Sequence, residues 1–144
     1  DSPVETETQD AKSLSAERTF AKDIIDPAEL DRALFNVACI VAHRLRQAGF
    51  CASCVSMFIK HNDFSVRQKQ CSISQPTDVT AIILNEARRM LTEIWDGRTP
   101  LRQVGLGVSR LSRESAVQMS LFEDSRLQYY RDWDRQYDEK MSVK

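Results

Sequence analysis

Between residues 30 and 48 apolar side chains return at steps of three and four: Leu30, Leu34, Val37, Ala38, Val41, Leu45 and Ala48. That spacing lays one apolar stripe along a helix of about six turns. Its start is written just upstream, where Asp26 suits the cap, Pro27 the first helical position and Glu29 the third residue after the cap. Gly49 ends it, since a left-handed residue after the last turn costs glycine least. The period then drops to two. Val55, Met57 and Ile59 alternate with Cys54, Ser56, Phe58 and Lys60, the polar His61-Asn62-Asp63 supplies a turn, and a second extended run leads from Phe64 to Ile73. This second strand is polar on both sides, so the pattern leaves its register open; Arg67 and Lys69 share one face of it. Pro76 and Thr77 break the sheet. A second helical stripe, Val79, Ile83, Ala87, Met90, Leu91 and Ile94, runs from about Asp78 to Trp95 and is closed by Gly97. After Pro100 a last strand sets Val104, Leu106 and Val108 on one side and Gln103, Gly105, Gly107 and Ser109 on the other. Residues 12–20 make a weaker first strand, diluted by Ser, Ala and Glu.

The order β-α-β-β-α-β predicts an α+β fold: a four-stranded, mainly antiparallel sheet with two helices on one face. The other sheet face stays open to solvent or a partner. Residues 1–11, Thr/Glu-rich with almost nothing to bury, read as a linker; 12–111 form the domain and 112–144 a tail. Beginning without methionine inside that linker is consistent with a piece of a longer chain.

Charge sharpens this picture. The formal net charge is only -1, but it is segregated. Residues 1–11 carry four acids and no base, residues 12–110 carry 14 Lys and Arg against 10 Asp and Glu, and residues 111–144 carry 6 bases against 7 acids. The middle of the chain can therefore face a polyanion. No stretch is long enough to span a bilayer and no start resembles a secretory leader, which favours a cytoplasmic protein. Cys51 and Cys54, with His43 and His61, could be drawn as a zinc site, but Cys39 and Cys54 fall in helix and strand patterns that call for small buried thiols.

Two glycines on one exposed strand face weaken the strand unless they make a bulge or let something approach the backbone. A sugar–phosphate chain fits: bare backbone with Ser and Gln donors can meet phosphate oxygens, with Lys60, Arg67, Lys69, Arg102 and Arg110 as candidate cations. Such contacts position nucleic acid without reading bases and depend on salt. Phe58 alone offers an aromatic platform, which disfavours an RRM-like RNA binder with the same element order.

Lys12-Ser13-Leu14-Ser15 with Thr19-Phe20, then Asp63-Phe64, then Arg102-Gln103-Val104-Gly105-Leu106-Gly107-Val108-Ser109 and Leu111 resemble the little-finger domain of Y-family translesion DNA polymerases, over about residues 12–111. The resemblance implies a sheet that holds the backbones of primer–template DNA. It implies that Ser13, Leu14 and Ser15 present backbone amides near a phosphate, and that Gln103, Gly105, Gly107 and Ser109 line the DNA side. Ser15 stands where that family usually has glycine, and Gly107 where many relatives carry a base. Downstream, Gln118-Met119-Ser120-Leu121-Phe122 resembles the peptide by which bacterial polymerases bind the sliding clamp: a hydrogen-bonding glutamine, then an aliphatic–aromatic pair for an apolar pocket.

Beyond the peptide, Leu127, Tyr130, Trp133, Tyr137 and Met141 recur at helical spacing, in a short charged helix that could dock back, bind a further subunit or fray. Asp132, Asp134, Asp138 and Glu139 read as its solvated face. No nucleophile–base pair or phosphate loop is present. Nor do acids match the magnesium ligands of a polymerase palm, so nucleotide incorporation and its Mg2+ would belong to the parent enzyme. A protein-interaction module or an RNA-binding domain with an RRM-like fold is the alternative.

Overall fold

The computed structural model describes residues 13–113 and 125–142. Strand β1 (Ser13–Ile24) is followed by helix α1 (Pro27–Ala48), the hairpin β2 (Cys51–His61) and β3 (Val66–Thr77), helix α2 (Thr80–Ile94), strand β4 (Leu101–Ser112) and helix α3 (Ser125–Ser142). All strand pairs are antiparallel, in the order β1-β4-β2-β3. The α+β layout is the one expected from the pattern, with one helix more.

Local chemistry explains most of the boundaries. Asp26 accepts from the Ala28 amide at 3.1 Å, and Gly49 sits at φ 79° with its N–H on the Arg46 and Leu45 carbonyls. The sheet run does not stop at Pro76. A shift of register between Ala52 and Cys54 lets β3 continue to pair Thr77 with Ala52. Pro76 is tolerated because β3 is an edge strand, where a missing donor can face away from the ladder.

The core lies between the sheet and α1 and α2. Val55, Met57, Ile59, Val104, Leu106 and Val108 meet Leu30, Leu34, Val41 and Leu45 of α1 and Ile83, Ala87 and Met90 of α2, and all are nearly inaccessible. Burying one such side chain is worth about 1.5–3 kcal/mol.

Helix α3 makes a third layer, outside α1 and α2. Trp133 packs edge-on against Phe35 and stacks on Tyr137, whose ring meets His43 edge-on. The supposed solvated acidic face is in part an anchor. Asp134 is 4% exposed, 3.0 Å from Nη1 of Arg46, and accepts from the Thr80 amide at 3.1 Å. Asp138 accepts from Nε and Nη2 of Arg46 at 2.7 and 2.8 Å and lies 2.7 Å from Nδ1 of His43. Helix α2 has no side-chain cap of its own at Val79. Asp134, from far along the chain, takes one of its unpaired first-turn donors instead.

Candidate nucleic-acid interface

Residues paired across strands point to the same side, so the register assigns every side chain to a face. Ser13, Ser15, Glu17 and Thr19 of β1 stand beside Ser109, Gly107, Gly105 and Gln103 of β4. Cys54, Ser56, Phe58 and Lys60 of β2 continue the same rows, and Ser72, Gln70, Gln68 and Val66 of β3 complete them. This is the face without helices. Hydroxyls and amides dominate it, and its charged members are Glu17 and Lys60. A shallow hollow of about 440 Å3 at its centre is lined by Ser15, Glu17, Ser56, Phe58, Gln68, Gln70 and the two glycines.

The glycines have different neighbours. A Cβ on Gly105 would overlap three ring carbons of Phe58, so this glycine seats the aromatic ring against the sheet. A Cβ on Gly107 would come 3.1 Å from Oγ of Ser56 and 3.5 Å from the Leu14 carbonyl, so this glycine lets β1 and β2 flank it closely, while its backbone stays partly exposed where that of Gly105 is buried.

The expected cations divide. Lys60 is on the open face. Lys69 pairs with Met57 and Arg67 with Ile59, which turns both toward the helix side, and Nζ of Lys69 lies 3.0 Å from Glu93 of α2. They do not join the glycines. Arg102 falls at the register shift between Lys60 and His61, 4.5 Å from the Phe64 ring centroid and 3.7 Å from Asp23. Arg110 is exposed in a left-handed conformation, φ 55°. Leu14 pairs with the buried Val108 and turns to the core. The carbonyl of Ser15 accepts from Nη1 of Arg44 at 2.7 Å. Neighbours on an antiparallel strand send their backbone groups to opposite sides. The amides of Ser13 and Ser15 therefore lie on the free edge of β1, and that of Leu14 turns to β4.

Sequence reasoning missed Ser56, Gln68 and Gln70 as members of this face. A faint signal existed: Cys71 and Ile73, the less polar alternate positions of β3, mark the side that meets the core, and both pack against it. The peptide Gln118-Met119-Ser120-Leu121-Phe122 lies outside the described residues. None of the four cysteines is in a disulfide, and Cys39, Cys51 and Cys54 are buried. His43 is engaged by Asp138, and His61 lies 3.1 Å from Oγ of Ser65. Among the described residues no three His, Cys, Asp or Glu side chains are placed to hold a metal ion, and no helix is long and apolar enough to cross a membrane.

The model of the impB/mucB/samB family C-terminal domain matches residues 11–121. The chain belongs to this family. Its curated relatives include DNA polymerase IV of Opitutus terrae, 31% identical over 122 residues, which are 85% of this chain and 31% of that protein. DNA polymerase IV 1 of Mesorhizobium japonicum is 36% identical over 104 residues, 72% of this chain and 24% of that protein. The impB/mucB/samB C-terminal domain thus spans under a third of either relative. Among solved structures, a complex of a beta-clamp processivity factor and the little finger domain of PolIV matches with a TM-score of 0.58 at 23% identity. The match covers 72% of this chain and 92% of that one, and shows the same fold.

Proposed function

We propose that this chain is the DNA-gripping domain of a translesion DNA polymerase and recruits the sliding clamp to it. The observation that carries this reading is the helix-free sheet face. It is rich in Ser and Gln, has a partly exposed backbone at Gly107, and is rimmed by Lys60, Arg102 and Arg110 in a domain of the impB/mucB/samB family. Hydroxyls, amides and exposed backbone can hydrogen-bond phosphate oxygens of any sequence, and the rim cations add a salt-dependent attraction. The grip is then sequence-neutral, which suits a polymerase that must hold damaged template. Gln118 to Phe122 would dock in an apolar pocket of the clamp and raise the local concentration of the enzyme at a primer end. Nucleotide incorporation and its magnesium ions belong, on this reading, to another part of a longer protein.

The test is a salt series of binding to a primer–template duplex, read by fluorescence anisotropy. Three rim cations predict a slope of log affinity against log salt of about -3, or a loss of about fifty-fold between 50 and 200 mM salt. Replacing Lys60 with Ala should make the slope about one unit shallower. Salt-independent binding, a preference for single-stranded RNA, or no binding at any salt would overturn the reading.

A further inference from the structure

The tip of the β2–β3 hairpin is built against the rule for its turn. His61 and Ser65 close a three-residue loop through the His61 N–H on the Ser65 carbonyl at 2.8 Å, and the Phe64 N–H returns to the His61 carbonyl at 2.9 Å. In such loops the last residue is left-handed, the position that favours glycine. Here it is Phe64, at φ 75°. The loop is otherwise well made. Asp63 accepts from the amide and hydroxyl of Ser65 at 2.9 and 2.7 Å, and the Asn62 amide donates to the Pro100 carbonyl at 3.0 Å.

A bulky residue held in a left-handed conformation normally gains something by burial. Phe64 does not, for it is 60% exposed. What surrounds it is charge: Arg102 lies 4.5 Å and Lys60 5.9 Å from its ring centroid. Asp23 sits 3.7 Å from Arg102, whose side chain remains 43% exposed, and Asp63 is occupied by Ser65. Val66, half exposed beside Lys60, joins the tip to the open sheet face.

We infer that Phe64, with Lys60 and Arg102, is a stacking site for an unpaired nucleobase where single-stranded DNA leaves the gripped duplex. An exposed ring between two cations is the chemistry of sequence-tolerant single-strand binding: the base stacks on the ring and the cations meet the flanking phosphates. Continuity with the open face puts this contact at one end of the duplex surface. The inference rests on the duplex-gripping reading above and adds to it a second class of ligand, the overhang.

The experiment compares two labelled probes, a blunt duplex and the same duplex carrying a single-stranded overhang, against the full 144-residue chain. The native chain binds the overhang probe more tightly. Phe64→Ala weakens overhang binding about tenfold and leaves blunt-duplex binding within about twofold. Phe64→Gly, which suits the left-handed position, gives the same binding loss with a Tm that is unchanged or raised. Equal loss on both probes, or no loss on either, overturns the site while leaving the duplex grip standing. So does a large fall in Tm for Phe64→Gly, or weakened clamp binding with DNA binding intact. Failure of the native chain to bind either probe overturns both readings.

Discussion

Phe58 and Gly105 face each other across β2 and β4, and each explains the other. The glycine gives the ring a place to lie, and the ring covers backbone that has no side chain of its own. Gly105→Ala should therefore cost about 1–2 kcal/mol, because the ring must leave its seat. Adding Phe58→Ala to that variant should remove most of the clash, leaving a coupling of about 1 kcal/mol in a double-mutant cycle of urea unfolding. Additive losses would show that the ring is not seated on the glycine. The caps at Asp26 and Gly49 were legible in the sequence because both the demand and the residue that meets it lie within a few positions. The seat at Gly105 was not, since its occupant is 47 positions away and is identified only by register. The glycine pair suggested close approach to the backbone; the neighbour at Gly105 is the Phe58 ring, and those at Gly107 are Ser56 and β1.

Helix α3 was visible as a helix and invisible as a layer. Its spacing of Leu127, Tyr130, Trp133 and Tyr137 gives an apolar side. The choice among docking, association and fraying was made by Asp134 meeting the N-terminus of α2 and Arg46 of α1, a charge pairing that periodicity does not encode. The two carboxylates are shifted in opposite directions. Burial pushes Asp134 up, against the pull of Arg46 and the Thr80 amide. Burial acts the same way on Asp138 but is outweighed by its bonds from Arg46 and His43, which hold it below the usual carboxylate range. Asp138 thus contributes stability that is complete above the ordinary value near 4 and is lost as pH falls through its lowered one. The deficit in Tm of Asp138→Asn should be full at neutral pH and shrink as pH drops below about 4. Asp134→Ala takes the carboxylate from the N-terminus of α2 and one of two carboxylates from Arg46, which keeps Asp138, at a cost of about 1–2 kcal/mol. Hydrogen exchange should then speed up across 125–142 and the first turn of α2, with the β2–β4 ladder still protected.

The whole molecule separates its two proposed tasks. The sheet face and its hairpin tip would hold nucleic acid, and the segment after β4 would hold the clamp. Replacing Leu121 and Phe122 together with Ala should abolish clamp association in a pull-down or by calorimetry and leave duplex binding unchanged. Retained clamp affinity would remove that role from the peptide. The order of elements, the helix-covered side and the polar face of β4 followed from hydrophobic period alone. What did not follow was the turn of β3. A strand without an apolar side takes its orientation from its neighbours, so Arg67 and Lys69 were open to either face until Cys71 met Val55 and Lys69 met Met57. Their placement leaves a face richer in hydrogen-bonding groups than in charge.

The dependence of α2 on Asp134 also has a temporal side. During synthesis the sheet and both core helices are complete once residue 112 has emerged. The opening turn of the second of those helices must wait a further 22 residues for its carboxylate. Until then that turn lacks its partner, and the emergence of α3 is what supplies it.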